Sequence, residues 1–383
     1  MATRATYTGS TASGVINLAE KASPKVVERF KIGSCTEGLF SHEYDWTGVA
    51  TVEVRSIDNL PLNDYNSQLA TGGSRFGDLT EVGDKVQEMT VQQDKSFNGS
   101  IDKRNNNEVL QTKAASKILK RQTDEVLIPY VDKYRLNKLA ANAGIGYFLG
   151  DTALSNSNII EKIMLANAVM SNQKVPDTGR VLYMGYTLAV SLKLADEVVG
   201  IDKLGEKSIV NGAMGKVDKC QVRLVPDDYL PANVLFMIVK TGVALAPKKI
   251  ETYRVLNNTH IIDGSLVQGR LLHDCFVLAE KNAGVLVCMA APAAVALDAG
   301  ISVPYNGTHQ LEPKVTFISG ADPVKVKGLG GEVAYTSAGT SYATVSSTGL
   351  ITGVTATASV NMTCKIGNTS HSATTTVAVA ITA

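Results

Sequence analysis

Hydrophobic and polar residues alternate in two stretches near the start of the chain, and a long polar stretch separates them. The first is VATVEVRSI, residues 49–57, and the second is VGDKVQEMTVQQDKSFNGSID, residues 82–102. A period of two predicts β-strands, and the Asn-, Gly- and Asp-rich middle predicts a turn region. We therefore expect a protruding β-hairpin over residues 46–100. An isolated hairpin is marginally stable in water, so this one needs a partner surface such as a second copy of the chain.

The apolar spacing changes to three and four residues after this hairpin. Leu110, Ala114 and Ile118 fall on one stripe, which predicts an amphipathic helix over residues 105–143. At about 1.5 Å per residue such a helix would be roughly 50 Å long. Pro129 should kink or divide it, because proline lacks the backbone N–H and clashes with the preceding turn.

Helical and strand patterns alternate in the middle of the chain, which predicts an α+β region. Helices are expected at 158–173 and 186–199. Strands are predicted at RVLYMG, CQVRLVP, NVLFMIVK, KKIETYRVL, LVQGRLLHDCFVLAE and GVLVCMA. Of these, RVLYMG, NVLFMIVK and GVLVCMA are apolar enough to be buried.

The composition changes at PYNGTHQLEP, residues 304–313, which predicts a linker. Beyond Glu332 the only Lys, Arg, Asp or Glu is Lys365, and short strand patterns recur every 8 to 12 residues. This predicts an all-β sandwich over residues 311–383. The side chains expected to face inward are Val345, Leu350, Ile351, Val354, Val360, Met362 and Ile366.

Composition and charge narrow the function classes. A chain of 383 residues with 44% hydrophobic residues predicts two or three folded domains. The formal net charge of +1 gives no global attraction to nucleic acid or to an anionic membrane. Residues 1–45 show no sustained periodicity and no apolar stretch of signal-peptide length, which predicts an extended arm and folding in a cytoplasm.

The sequence contains no motif typical of catalysis, cofactor binding or metal binding, so no catalytic, cofactor-binding or metal residue is proposed. The five cysteines are scattered without a Cys-x-x-Cys pair and are interpreted as reduced, buried thiols. His273 and Cys275 share one face of a predicted strand, with Asp274 on the other face. A role in the core or at an interface is favoured over a catalytic pair.

One cluster of positive charge lies on the predicted long helix. Lys113, Lys117, Lys120 and Arg121 fall on one stripe at spacings of three and four residues. Two interpretations remain open: a solvated helix face, or contact with phosphate or with acidic groups of a neighbouring subunit.

The segment YATVSSTGLITGV, residues 342–354, followed by TATASVNMTCKIGN, resembles bacterial Ig-like domains of the group 2 type. The resemblance covers roughly residues 311–383. It implies a small sandwich domain of the kind displayed on surfaces.

Residues 20–303 resemble the major capsid proteins of tailed bacteriophages, which have the HK97-like fold. The resemblance rests on the order of four segments: VQEMTVQQDKSFNGSIDK, VLIPYVDKYRLNKLA, KTGVALAPKKIETYRVL and SLVQGRLLHDCFVLAEKNAGV. It implies an N-terminal arm, an E-loop hairpin, a P domain with a spine helix and an A domain. We expect a P-like domain at 101–150 and 243–283, and an A-like domain at 151–242 and 284–303.

The resemblance also implies a function. Copies of the chain would form hexamers and pentamers of an icosahedral shell around double-stranded DNA, with portal and scaffolding proteins as partners. Assembly in the host cytoplasm, without contact with a membrane, would explain a surface module in a chain that has no export signal. The module itself would project from the virion, bind a host-surface glycan weakly and be dispensable for building the shell.

Three other readings remain. A phage tail-tube protein can carry the same C-terminal module, but such proteins consist mainly of strands, and the predicted helices argue against this reading. An adhesin or cell-wall protein would need an export signal. An enzyme would need a candidate site.

Overall fold

The computed structural model describes residues 33–41, 43, 44, 46, 51–65, 67, 74–108, 114–195, 215–259 and 262–382. The predicted arm at 1–45 and the predicted end of the second helix, 196–199, lie mostly or wholly outside these residues. The described chain combines helices with several β-sheets, so the predicted α+β class is confirmed.

The hairpin consists of β1 (Thr51–Ile57) and β2 (Asp84–Thr90), which pair antiparallel from Thr51–Thr90 to Ile57–Asp84. It is shorter than the predicted one. Residues 93–102 were expected in its second arm, but they form a separate strand, β3 (Gln93–Asp102). The chain turns at Gln92, whose backbone N–H donates to the Asp274 carboxylate at 3.0 Å.

Helix α1 (Lys103–Glu108) follows β3, and a helical rod begins at Ala115. The rod consists of α2 (Ala115–Gln122), a π-helical turn (Thr123–Leu127) and α3 (Ile128–Ala141). The single predicted helix over 105–143 is therefore wrong at its start, because Ala114 has an extended backbone. Pro129 does not end the rod, since the wider π-helical turn just before it accommodates the missing N–H.

A three-stranded sheet packs beside the rod. It has the order β10 (Lys248–Thr259), β11 (Ile262–His273) and β3, with all pairs antiparallel. Nearby, β9 (Ala244–Leu245) pairs with β12 (Phe276–Val277). These elements surround the root of the hairpin.

The main core lies on both faces of a seven-stranded sheet. In chain order its strands are β4 (Ile145–Phe148), β5 (Arg180–Gly185), β6 (Lys216–Val217), β7 (Cys220–Val225), β8 (Val234–Lys240), β13 (Val285–Met289) and β19 (Gly328–Gly331). Their order in the sheet is β19-β4-β13-β8-β5-β7-β6. Helices α4 (Ile159–Asn172) and α5 (Tyr186–Lys193) cover one face, and α3 covers the other.

The C-terminal unit has two sheets that share one hydrophobic cluster. Its strands are β15 (Ile301–Pro304), β16 (Thr308–Gln310), β20 (Val333–Ser337), β21 (Ala343–Val345), β22 (Leu350–Gly353), β23 (Ala358–Gly367) and β24 (Ser372–Thr382). One sheet has the order β15-β24-β23-β20 and the other the order β16-β22-β21. Buried side chains from both sheets, such as Ile351 and Val379, meet in the cluster between them.

The path of the chain differs from the predicted boundary at 304–313. These residues are not a linker, because β15 and β16 already belong to the C-terminal unit. The chain then leaves that unit and forms β17 (Lys314–Thr316) and β18 (Val324–Lys325), which join β14 (Ala294–Ala296) in a small sheet. It adds β19 in parallel to β4 and only then returns to the C-terminal unit.

Two contacts fix the C-terminal unit to the main body besides β19. The Asp151 carboxylate accepts hydrogen bonds from the backbone N–H groups of Thr369, Ser370 and His371 at 2.9 to 3.1 Å. Cys364 and Ile366 of β23 are buried in the same hydrophobic cluster as Phe148 of the main sheet. The C-terminal unit is therefore attached to the main body by several packed and hydrogen-bonded contacts, in addition to the connecting chain.

Five of the seven predicted inward positions of the C-terminal unit are buried or half-buried, and two predictions are wrong. Leu350 and Val354 are exposed. Leu350 and Ile351 are neighbours on one strand and must point to opposite faces, and Val354 lies beyond the end of β22.

Candidate subunit-contact surfaces

The tip of the hairpin, residues 56–85, exposes apolar side chains that the described chain does not cover. Leu62 and Leu79 are fully exposed, and Tyr65 and Phe76 pack edge to face at 5.2 Å between centroids. The Asn63 side chain donates to the Phe76 carbonyl at 3.3 Å and holds the two sides of the tip together. Apolar side chains that remain uncovered in this way have the properties of a contact surface.

The root of the hairpin is anchored to its own subunit. Met89 is buried with Trp46, Leu245 and Leu278, and the Trp46 ring stacks on Phe276. The Gln87 side chain donates to the Val277 carbonyl at 3.0 Å and accepts from the Ala279 N–H at 2.9 Å. The hairpin is thus fixed at one end and free to contact another molecule at the other.

The predicted basic stripe is only partly described. Lys113 lies outside the described residues, while Lys117 and Lys120 lie on α2 with exposed side chains. The Arg121 side chain is half-buried and donates to the Glu125 carboxylate at 3.1 Å. Lys117 and Lys120 therefore form the exposed part of the stripe, and whether they contact phosphate or another subunit stays a prediction.

A groove of about 170 Å³ lies between the rod and the three-stranded sheet. Phe97 and Tyr253 stack on its sheet side with centroids 6.3 Å apart, and Tyr130 borders it on the rod side. A side chain at Gly269 would collide with both rings of the stacked pair, so the glycine makes room for them. Lys95 lies on the rim with its Nζ 5.8 Å from the Tyr130 centroid. Sequence reasoning missed this aromatic groove because its residues come from distant segments.

A third apolar surface runs along one side of helix α5. Tyr186, Val190 and Leu194 are each about half exposed and lie at i, i+4 and i+8, while Ala189 and Leu192 on the opposite side are buried. A helix that is apolar on both sides is expected only where both are covered. The sequence predicted a helix here, but its spacing did not show which apolar face would be left uncovered.

Buried polar groups join the rod, the hairpin root and the end of β11. Asp274 accepts hydrogen bonds from the Tyr134 hydroxyl at 2.6 Å and from the Cys275 N–H at 2.8 Å. His273 is buried and its ring meets the Tyr130 and Tyr134 rings edge to face. Within the described part of the chain, neither ring nitrogen of His273 has a hydrogen-bond partner. These contacts fit the predicted core role of His273 and Cys275.

Acid should destabilise the subunit through His273. Burial, reinforced by the nearby Arg135 charge, lowers the pKa of His273 from 6.5 to about 4. The unfolded chain therefore binds a proton that the folded chain excludes, and the stability present above pH 6.5 is lost as the pH falls towards 4. The loss can reach about 3 kcal/mol. A series of melting curves between pH 7 and pH 4 should show a smaller decline for His273→Phe than for the unaltered chain.

The matched control for this measurement is His309→Phe, which alters an exposed histidine of the C-terminal unit. Its melting curves should follow those of the unaltered chain. Equal acid sensitivity of His273→Phe and the unaltered chain would show that His273 does not carry the effect.

The cysteine thiols are poor candidates for chemistry. All five are free, and four are buried. Burial raises the pKa of Cys364 to about 11 and that of Cys275 to about 12, so both stay protonated at neutral pH. In the ranges that the structure describes, no group of three or more His, Cys, Asp or Glu is arranged to hold a metal ion. No described helix is long and apolar enough to span a membrane.

The fold is similar to that of chains in solved bacteriophage structures, two of which are described as capsids. A chain from Mycobacterium phage Che8 superimposes with a TM-score of 0.60 at 17% identity, covering 71% of this chain and 96% of that one. The capsid structure of cyanophage P-SCSP1u gives 0.57 at 11% identity, covering 71% and 92%. The mature capsid of bacteriophage PhiM1 gives 0.57 at 10% identity, covering 72% and 92%.

These likenesses confirm the predicted HK97-like fold and leave more than a quarter of this chain unmatched. At 10 to 17% identity they show the fold alone. No protein-family model matches the sequence, and no curated protein matches it either.

Proposed function

We propose that this chain is the major capsid protein of a tailed bacteriophage and has a structural, non-enzymatic role. Copies form hexamers and pentamers of an icosahedral head that encloses double-stranded DNA. Assembly takes place in the host cytoplasm with portal and scaffolding proteins, and the product is part of the virion.

The observation that carries the proposal is the extent of the structural match. The fold covers 92% of each of two chains from structures described as capsids. The rod and the two helices on the seven-stranded sheet favour this role over the alternative, a phage tail-tube protein, for which a mainly β structure is expected.

The exposed surfaces support self-assembly. The hairpin tip, the aromatic groove and the α5 stripe all present apolar side chains on one subunit. They occupy different elements, so one copy can contact several neighbours at once. Contacts that join unlike surfaces extend into rings and shells and do not stop at a dimer.

We propose further that the C-terminal unit is an Ig-like domain on the outer surface that binds a host-surface glycan weakly. Two sheets of four and three strands around one core support this assignment. Many copies on one particle would convert a weak affinity into strong adhesion.

Negative-stain microscopy of the purified full-length chain tests the main proposal. Closed shells are the expected result. Tubes would favour the tail-tube alternative, and monomers that never assemble, even with a co-expressed scaffolding protein, would argue against both.

The exposed part of the basic stripe should matter for filled particles. Lys117→Glu combined with Lys120→Glu reverses two charges that we propose face the interior or a subunit seam. Each lost phosphate contact weakens binding, so we expect the DNA-filled fraction to fall by about tenfold. Band positions in a density gradient measure the filled and empty particles separately.

Lys174→Glu combined with Lys281→Glu is the charge-matched control, since both lysines are exposed and belong to elements other than the rod. It should package DNA normally. If the two double variants package equally well, Lys117 and Lys120 belong only to a solvated helix face.

A further inference from the structure

The tip of the hairpin leaves the aromatic groove of its own subunit open. Strand β2 is anchored at its root, where Met89 is buried and the Gln87 side chain bonds to the backbones of Val277 and Ala279. The strand is seven residues long and spans about 20 Å. Leu79 lies beyond its far end and is fully exposed. The tip is therefore available to a second copy and does not fill the groove beside the rod.

The aromatic groove has the size of a pocket for one side chain. Its volume of 170 Å³ is below the roughly 300–1,000 Å³ of small-molecule sites. Besides Phe97, Tyr253 and Tyr130, its apolar lining includes Val126 and Leu127 of the π-helical turn. Val126 is 49% exposed, so apolar surface in the groove remains open to solvent. Such a pocket suits a single aliphatic side chain that another molecule inserts as an anchor.

The rim of the groove is positively charged. Among the described residues that line it, the charged ones are Lys95 and Arg270. Arg270 pairs with Asp94 at 2.6 Å, so its charge is matched within the subunit. Lys95 instead lies with its Nζ 5.8 Å from the Tyr130 ring centroid. The rim therefore offers the Lys95 ammonium group to an acidic group of the molecule that fills the groove.

The hairpin tip carries the complementary combination of an apolar and an acidic side chain. Leu79 is fully exposed, and Asp78 is next to it in the chain. The α5 stripe is also apolar and exposed, but α5 contains no acidic residue from Tyr186 to Lys193. Acids also outnumber bases over residues 56–85, where the acids are Asp58, Asp64, Asp78, Glu81 and Asp84 and the bases are Arg75 and Lys85. Charge therefore matches the groove to the tip and not to the α5 stripe.

We propose that Leu79 of one copy inserts into the aromatic groove of a second copy, where Asp78 faces Lys95 on the rim. The inference rests on the proposed function, and it names the surface that receives the hairpin tip. Tip and groove are unlike surfaces on different elements, so each copy can give its tip to one neighbour and receive the tip of another. A head-to-tail contact of this kind can close into a ring.

Disulfide trapping tests the contact directly. Leu79→Cys combined with Val126→Cys places one thiol at the tip and one in the groove. Particles of this variant, oxidised with diamide, should give a ladder of covalently linked copies on a non-reducing gel, because a disulfide forms only between Cα atoms within about 7 Å. The native cysteines should not contribute, since four are buried and Cys35 is half-buried. Leu79→Cys combined with Val190→Cys, which moves the second thiol to the α5 stripe, is the matched control and should give no ladder.

A charge swap tests the pair of charges at the rim. Lys95→Glu places a like charge opposite Asp78 and should slow assembly at low salt by about tenfold, because rim charges act mainly on the association rate. Asp78→Lys added to Lys95→Glu should restore the rate to within about twofold of the unaltered chain. Glu88→Lys, an exposed change elsewhere on the hairpin, should not restore it. Light scattering measures the rate of assembly.

The outcomes separate this inference from the proposed function. Particles of the double-cysteine variant that give no ladder, or no stronger ladder than the Val190 control, would overturn the groove as the receiving surface. Normal assembly of Lys95→Glu, or a charge swap that restores nothing, would overturn it as well. If the two cysteines themselves prevent assembly, restoration by the charge swap still supports the contact and its absence contradicts it. An unaltered chain that forms no particles under any condition contradicts the proposed capsid role itself.

Discussion

A chain that ends at Pro304 should fail to accumulate as a folded subunit. It would lose β19 from the edge of the seven-stranded sheet, together with Val315, Phe317 and Val326 from the main hydrophobic cluster. Burying each such side chain contributes about 1.5 to 3 kcal/mol, so the total loss approaches the whole stability of a typical domain. Soluble yield and melting temperature measure the effect. The sequence-based expectation was the opposite, that the C-terminal region is dispensable for the shell.

A single substitution tests the docking of β19 against β4 without deleting residues. Gly331 has a φ of +78°, and a Cβ there would lie 1.8 Å from the Phe148 carbonyl oxygen. Gly320 has a φ of +80° but nothing within 4 Å, so Gly320→Ala carries the same backbone strain without the collision. Gly331→Ala should lower the melting temperature by several degrees more than Gly320→Ala. Equal effects, or a soluble and stable chain ending at Pro304, would show that β19 docking does not hold the subunit together.

Replacing Leu62 and Leu79 together by Asp should abolish particle assembly and leave the isolated subunit folded. Both side chains are fully exposed at the hairpin tip, so the subunit loses no packing of its own. In an assembly each leucine that becomes buried contributes about 1.5 to 3 kcal/mol per contact, and an aspartate in its place must be desolvated. Sedimentation velocity distinguishes shells from free subunits. Hydrogen exchange of residues 56–85 should be fast in subunits and slow in particles.

The control for the hairpin tip is Asn59→Asp combined with Thr80→Asp. It adds the same charge to exposed polar positions of the same segment and keeps both leucines. This variant should assemble. Normal shells from the double-leucine variant, or slow exchange of the tip in free subunits, would mean that the tip does not contact a neighbouring copy.

Elements with a strong local period were predictable from the sequence. The strand RVLYMG became β5 and the helix predicted at 158–173 became α4, each within one residue of its predicted bounds. The hairpin arms β1 and β2 also lie within the predicted alternating stretches. In these segments side-chain periodicity and neighbouring turn residues point to the same structure.

The interleaved path of the C-terminal region was not predictable in the same way. The segment GLGG, residues 328–331, carries no strand signal, because its three glycines have no side chains that could show a period. In the structure it is β19, and the lack of a side chain at Gly330 lets the strand lie against Tyr147 and Val169. Its partner β4 lies nearly half the chain away, so no local pattern could reveal the pairing.

The candidate contact surfaces were likewise predictable from the sequence only in part. The basic stripe on α2 was visible from spacing alone, since charged residues on a helix are read directly from the sequence. The exposure of Leu62, Leu79 and Tyr186 was not, because apolar residues are usually assigned to a core. Only the folded structure shows which apolar side chains remain exposed to solvent.

The position of β19 also sets the order in which the subunit can be completed during synthesis. The strand that closes the edge of the seven-stranded sheet leaves the ribosome long after β4, and the turn that binds Asp151 follows later still. Pairings between distant segments form slowly, and incomplete sheets expose unpaired edges in the meantime. A nascent chain therefore cannot complete its seven-stranded sheet until most of the chain has been translated. If the chain has the proposed capsid role, unfinished chains would thus be kept out of a growing shell. The same delay leaves the edge of β4 open to chaperones or to misfolding.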